Sequence, residues 1–172
     1  MSILLGIISD IHDHRSHLQA VLADAAARDV EHLLCLGDMG APKILLMCIA
    51  SRIPCTAIYG NNDAEKHKMA LVAHESEGAF TLMNNTYGVV TMGGRTLCMI
   101  HHPTLALSLA RSGDYDAVFY GHNHTLHQEY VGDCLVCNPG EICGYSTGTV
   151  SYAIYDTASN TAESITLSSY SL

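Results

Sequence analysis

The chain has 172 residues, of which 48% are hydrophobic and 15% are charged, and this balance fits a folded globular protein and excludes a disordered one. The formal net charge is −9 and no basic cluster is present, so we expect no nucleic-acid binding surface. No apolar run approaches the roughly 20 residues of a membrane-spanning helix, and no basic segment precedes the apolar N-terminal run, so we expect no membrane insertion, no signal peptide and a cytoplasmic location.

The first half of the chain alternates between two patterns. Short apolar runs predict buried strands over residues 3–9, 31–36 and 54–59. Apolar residues at helical spacing predict helices over residues 14–28, 42–52 and 63–73, and Pro42 suits the first turn of the second helix. Strands that alternate with helices imply a parallel sheet with helices packed on its faces.

The second half is richer in strands. Residues 86–92 and 96–100 flank Gly93-Gly94, which is a strong hairpin signal. A short helix is predicted over residues 104–110, and further strands over 117–120, 126–131, 134–136, 149–155 and 162–167. We therefore expect residues 1–172 to form one domain in which two sheets pack together with helices outside.

The seven cysteines have irregular spacing, which predicts a structural role. Cys134 and Cys137 form a single Cys-x-x-Cys, but residues three apart in a strand face opposite sides and make a poor metal pair. We expect neither a zinc ribbon nor a redox site.

Polar fragments with metal-binding side chains follow five of the apolar runs. They are Asp10-Ile11-His12, Gly37-Asp38, Gly60-Asn61-Asn62-Asp63, His101 and Gly121-His122-Asn123-His124. Each has an ordinary alternative as a helix cap or a turn, but a series of N and O ligands at strand ends is a much less probable coincidence. Asp38 is the natural bridge between two ions, because a carboxylate has two oxygens. Two divalent ions held close together are suited to the hydrolysis of phosphate esters.

These fragments resemble the motif order of the calcineurin-like metallophosphoesterases, and Asn138-Pro139-Gly140 resembles the family's Asn-Pro-Gly turn. The short chain is similar to the YfcE-like phosphodiesterase branch. The resemblance implies a four-layer α/β/β/α sandwich and hydrolysis by in-line attack of a metal-bridging hydroxide on a small phosphate ester. It implies two divalent ions, of which manganese is the expected metal, while iron, zinc, nickel and cobalt also suit the ligands. The implied metal ligands are Asp10, His12, Asp38, Asn61, His101, His122 and His124.

The resemblance also implies candidate catalytic residues, which are Asp38, Asn61, Asp63 and His102. Asp63 is expected to orient the site without touching metal. Asn62 departs from the family pattern, because many members carry there a His that protonates the leaving group, and general acid catalysis is typically worth about 100- to 10,000-fold. His102, His14 and His127 are candidate substitutes. Asp13-His14 and Glu141 also depart from the family's Gly-Asn and Ser.

Alternatives from two other function classes stay open at this point. One is a weakly active or inactive scaffold on the same fold, as in the retromer coat, and the other is a phosphomonoesterase or phosphoprotein phosphatase. Complete ligand positions favour the enzyme over the scaffold. Because relatives are often oligomers, a homodimer or homotetramer is expected through edge strands of the second half.

Overall fold

The computed structural model describes residues 2–167, and its first sheet carries most of the predicted βα alternation. Six strands lie in the order β11-β10-β1-β2-β3-β4. They are β1 (Leu4–Ile8), β2 (His32–Cys35), β3 (Cys55–Ala57), β4 (Phe80–Leu82), β10 (Val150–Asp156) and β11 (Thr161–Leu167). Strands β1 to β4 are parallel, while β10 pairs antiparallel with both β1 and β11.

The second sheet has five strands in the order β5-β6-β7-β9-β8. They are β5 (Tyr87–Met92), β6 (Arg95–Ile100), β7 (Ala117–Tyr120), β8 (Leu126–Val131) and β9 (Cys134–Pro139). Gly93 and Gly94 form the turn between β5 and β6, and both have positive φ, as a two-residue hairpin turn requires. Strands β6, β7 and β9 are parallel, so their carboxyl ends lie at one edge.

Four helices cover the outer faces of the two sheets. They are α1 (Arg15–Ala27), α2 (Pro42–Ala50), α3 (Lys66–Glu75) and α4 (Ala106–Arg111), and a 3₁₀ turn at Pro103–Leu105 precedes α4. The side chains of β1 alternate between two cores: Leu5 and Ile7 point between the sheets, while Ile8 packs beneath the helices of the first sheet. A third cluster lies between α4 and the second sheet. This arrangement confirms the expected α/β/β/α layers.

The predicted elements are all present, but several bounds differ. Helix α3 begins three residues later than predicted, β3 has three residues where six were predicted, and β9 extends three residues further. The short strand β4 was not predicted. All seven cysteines are free and buried, and Cys134 and Cys137 lie in different core clusters, as their spacing indicated. Among the helices of residues 2–167, none is both long and apolar enough to cross a membrane.

Candidate metal centre

The predicted site fragments meet at one edge of the two-sheet sandwich. Strands β1, β2 and β3 of the first sheet end there, and so do β6 and β7 of the second. The side chains that the structure brings together are those of Asp10, His12, Asp38, Asn61, His101, His122 and His124. Parallel strand order therefore gathers residues that are up to 114 positions apart in the sequence.

One group of donors lies on the side of Asp10. The Nε2 atom of His124 is 3.4 Å from Asp10 Oδ1 and 3.4 Å from His12 Nε2. His12 Nε2 is 3.6 Å from Asp38 Oδ2. These four side chains form the first ligand group.

A second group lies on the other side of Asp38. Asn61 Oδ1 is 3.0 Å from His101 Nε2 and 2.9 Å from His122 Nδ1. His101 Nε2 is also 3.6 Å from Asp38 Oδ1. Asp38 therefore presents one carboxylate oxygen to each group, which is the geometry of a bridging ligand.

The donor atoms of both groups fit a cation. Leu36 O is 2.8 Å from His101 Nδ1, and a carbonyl only accepts, so Nδ1 carries a proton, and in the neutral ring Nε2 presents a lone pair toward Asn61 Oδ1. Two lone pairs facing each other at 3.0 Å repel unless a proton or metal lies between them. Cis ligands, each about 2.1 Å from an octahedral ion, are about 3.0 Å apart, which matches this spacing.

Asp10 supplies independent support for a cation at the first group. Its side chain is fully buried, and Oδ2 accepts hydrogen bonds from Ser9 Oγ and the His122 backbone N–H. Its Oδ1 is buried without any hydrogen-bond partner. A buried carboxylate oxygen without a partner is costly, and a divalent ion would satisfy it.

The backbone at the candidate ligands is strained. Asp10, His12, Asp38, His122 and His124 all have φ between 45° and 74°, in the left-handed region. Non-glycine residues held in such regions cost of order 1–3 kcal/mol each and concentrate at functional sites. These strained conformations lower the stability of the fold, and they direct the side chains toward the site.

Two glycines allow the strand ends to approach closely. A Cβ on Gly60 would collide with Asp38 Oδ1, and one on Gly121 would collide with Ser9 Oγ. Glycine is required at both positions because of this close approach.

Asp63 supports the bridging residue through the backbone. It is buried, and its oxygens accept hydrogen bonds from the N–H groups of Asp38, Gly40 and Gly60 at 3.0, 2.9 and 2.7 Å. Burial raises the pKa of Asp63, and these N–H donors oppose that rise. Asp63 therefore fixes the backbone around Asp38, and its orienting role stays a prediction.

Asn62 holds the Asp38 side chain itself. Its backbone N–H donates to Asp38 Oδ1 at 2.8 Å and its Nδ2 donates to Oδ2 at 2.7 Å. Burial alone would raise the pKa of Asp38, but His101 and the Asn62 donors outweigh it, and the pKa lies well below its ordinary value. Asp38 is therefore ionised at neutral pH.

Glu141 is a functional candidate whose role the sequence did not reveal. It follows the end of β9, is fully buried, and its Oε2 lies 2.5 Å from His124 Nδ1. The Cys143 thiol, Ser146 N–H and Thr147 N–H and hydroxyl also donate to this carboxylate. Burial raises the pKa of Glu141, but hydrogen bonds from Cys143, Thr147 and His124 lower it to about 2. The charged carboxylate accepts a hydrogen bond that His124 Nδ1–H donates, and this tautomer leaves Nε2 free to face the first ligand group.

The sequence offered no strand-end signal for Glu141, because the predicted strand 134–136 ends five residues before it. In the structure β9 extends to Pro139, and a carboxylate buried just beyond it needs a partner. The sequence alone did not show which partner, because His124 lies 17 residues earlier.

The three candidate proton donors lie in different places. The ring centroid of His102 is 4.2 Å from that of His122, so His102 borders the second group. His14 stacks on His17 with centroids 3.4 Å apart, and burial and His17 lower its pKa. His127 instead bonds Tyr120 on the outer face of the second sheet, away from the ligand groups, so its proposed place near the site was wrong.

Comparison with known proteins agrees with this geometry. The pattern of the calcineurin-like phosphoesterase superfamily domain matches residues 3–160. The chain belongs to this superfamily. This confirms the prediction of a hydrolase that acts on phosphate esters. Membership of the family also implies divalent metal ions.

Individual relatives show how far the similarity extends. The phosphodiesterase MJ0936 of Methanocaldococcus jannaschii is 31% identical over 160 residues, which cover 89% of this chain and 92% of that protein. A solved structure described as a novel archaeal phosphodiesterase is 30% identical, with a TM-score of 0.89 over 96% of this chain and all of that one. The phosphoesterase YfcE of E. coli has a TM-score of 0.67 at 20% identity, covers 95% of this chain and 98% of its own, and supports the fold alone.

Proposed function

We propose that this protein is a metal-dependent phosphodiesterase whose two ions are held by the two ligand groups. Asp10, His12, Asp38 and His124 would hold one ion, and Asp38, Asn61, His101 and His122 the other. The observation that carries the proposal is the position of Asp38, whose two oxygens face the two groups at equal distances of 3.6 Å to His12 and His101. The similarity to a phosphodiesterase supports the diester assignment.

The divalent ions would supply, when bound, a water of lowered pKa and positive charge for the phosphate oxygens. The chain's own residues prepare the place where this happens. Glu141 and the Leu36 carbonyl hold His124 and His101 in the tautomers that leave Nε2 free. Asp63 and Asn62 hold Asp38 from its backbone and its side chain. No protein nucleophile is required, so the catalytic work of these residues is positioning.

The residue at position 62 favours a substrate diester with a good leaving group. The side chain of Asn62 is an amide, which is too weak an acid to protonate the departing oxygen, so diesters with poor leaving groups would react slowly. His102 is the histidine beside the second ligand group that could replace this donor, because its ring borders His122. Burial, followed by His122 and His101, lowers the pKa of His102, and this disfavours the protonated form that such a donor needs.

We also propose manganese as the metal, the cytoplasm as the location, and a single domain that assembles as a homodimer or homotetramer. The N and O donors suit manganese, and they suit iron, zinc, nickel and cobalt as well. Metal content of protein purified without added metal would test the first point. Light scattering of the same preparation would test the assembly.

The decisive experiment is hydrolysis of bis-p-nitrophenyl phosphate with added manganese, together with metal titration. Asp38→Asn keeps the size of the side chain and tolerates the positive φ of 52°, but it removes the bridging charge. We expect it to abolish both turnover and binding of two ions. Asp133→Asn, in the exposed turn between β8 and β9, is the matched control and should change neither. Full activity of Asp38→Asn would refute the bridging role, and no turnover by metal-loaded wild type would favour a scaffold.

A further inference from the structure

An exposed aromatic ring stands beside the first ligand group. Tyr145 lies in the segment between β9 and β10, and 68% of its surface is exposed. Its ring centroid is 6.4 Å from that of His12 and 5.7 Å from that of His14. A phosphate held at the first group would therefore place one of its ester substituents within reach of this ring.

The segment that carries Tyr145 is fixed in place. Glu141 accepts hydrogen bonds from the backbone N–H groups of Ser146 and Thr147, which directly follow Tyr145. Cys143 N–H donates to the carbonyl of Asp10, which ties the segment to the end of β1. A ring on a fixed segment loses little conformational freedom when it binds a partner, and such preorganisation favours binding.

The neighbouring surface is also aromatic. His14 and His17 stack with an interplanar angle of 19°, and His17 Nδ1 donates to the Ile142 carbonyl at 3.0 Å. The imidazole pair thus lies against the base of the same segment. Together with Tyr145 it forms a wall of flat rings at the side of the first ligand group.

Other exposed tyrosines differ from Tyr145. Tyr87 is 41% exposed and its hydroxyl pairs with Tyr115, while Tyr130 is 48% exposed and donates to the Asn160 carbonyl. These two anchor surface elements, whereas Tyr145 is more exposed and lies at the candidate site. Its place therefore indicates a ligand and not a fold contact.

We propose that Tyr145 binds a planar ring of the substrate by stacking, so that the preferred diesters carry a nucleobase or another aryl group. This inference rests on the proposed function, because it assumes that a phosphate binds at the ligand groups. Every base has a π-face, so stacking would accept different bases. It would disfavour diesters whose two substituents are both small alkyl groups.

Binding to the manganese-loaded protein tests this directly, because it needs no turnover. Calorimetry would compare adenosine 5′-monophosphate with ribose 5-phosphate, which has the same phosphate but no base. We expect the nucleotide to bind about 5- to 150-fold more tightly in the wild type, the range that stacking of one base supports. Tyr145→Leu should remove most of this preference, and Tyr145→Phe should keep it. Tyr130→Leu is the matched control, an exposed tyrosine near the opposite end of the second sheet, and should behave as the wild type.

The outcomes separate this proposal from the proposed function. Equal affinity of the two ligands for the wild type, no measurable binding of the nucleotide, or an unchanged preference in Tyr145→Leu would overturn the ring site, even if bis-p-nitrophenyl phosphate is hydrolysed normally. A preference that depends on Tyr145 in a protein without diesterase activity would refute the catalytic function and leave the ring site standing.

Discussion

Replacement of Glu141 by Gln tests how the fold controls the first ligand group. Each oxygen of Glu141 accepts hydrogen bonds: Oε2 from His124 and Cys143, and Oε1 from Thr147, while the Ser146 N–H is shared between them at 3.0 Å to Oε1 and 3.2 Å to Oε2. Glutamine has the same size but only one oxygen, and its NH₂ group would face donors on one side. The backbone N–H groups of Ser146 and Thr147 that face Oε1 cannot turn away, whereas His124 can change tautomer and the Cys143 thiol can rotate. The NH₂ group would therefore face His124 Nδ1.

The consequence for metal binding follows from the imidazole tautomers. Opposite an NH₂ group, His124 favours the form with a lone pair on Nδ1 and the proton on Nε2. Nε2 is the atom that lies 3.4 Å from both Asp10 Oδ1 and His12 Nε2, so a proton there blocks it as a ligand. Loss of a carboxylate behind a metal-bound His typically costs 10- to 100-fold in affinity, or about 1.4 to 2.7 kcal/mol.

The assay is manganese titration of Glu141→Gln with calorimetric readout, alongside urea unfolding of the metal-free protein. We expect the weakening to fall on one of two binding events, because the second ligand group does not contact Glu141. Thr147→Val is the matched control: it removes the hydroxyl that donates to Oε1 at 2.8 Å but leaves the contact between His124 and Glu141. It should lower the free energy of unfolding by about 1 kcal/mol without changing metal affinity. Wild-type metal affinity in Glu141→Gln would refute the reasoning.

Three further changes test other parts of the structure. Asn62→His removes the Nδ2 bond to Asp38 and should slow both kinds of diester, but it should raise the ratio of the rate on poor leaving groups to that on bis-p-nitrophenyl phosphate by up to about 100-fold, since only the former need a proton donor; steady-state kinetics on both would show it, and an unchanged ratio would contradict it. Gly121→Ala should destabilise the fold by about 1–3 kcal/mol and weaken metal binding, because its Cβ meets Ser9 Oγ; unchanged unfolding and titration curves would exclude the clash. Asp116→Asn should cost up to about 1 kcal/mol near neutral pH: burial raises the pKa of Asp116, but hydrogen bonds from the Thr96 N–H and from Arg95, both at 2.8 Å, outweigh it and lower that pKa. A carboxylate whose pKa is lowered in the folded state stabilises the fold above its ordinary pKa, and this stabilisation is lost as the pH falls through the folded-state pKa. Urea unfolding should therefore show a difference in the free energy of unfolding between wild type and Asp116→Asn at about pH 6.5 and none at about pH 2. A difference that does not change with pH would refute the ionic origin.

The order of elements and the candidate ligands could be predicted from local patterns. Apolar runs such as residues 3–9 and the Gly93-Gly94 turn carry their own signal, because burial and backbone freedom are properties of short segments. Strand β4 has no such local sequence signal. It has three residues, and it exists as a strand because the edge of β3 offers it hydrogen bonds.

The sequence by itself determined which donor atoms are available and that they follow strands. Tertiary structure decided how they combine: that Asp38 turns one oxygen to each group, that Asp10 Oδ1 is left without a partner, and that Glu141 lies behind His124. It also placed Tyr145 beside His12, although the local sequence around Tyr145 carries no signal of a functional role. The physical reason is that strand order in the two sheets sets which chain ends become neighbours, and hydrogen bonds between residues distant in sequence then fix side-chain directions that no local pattern encodes.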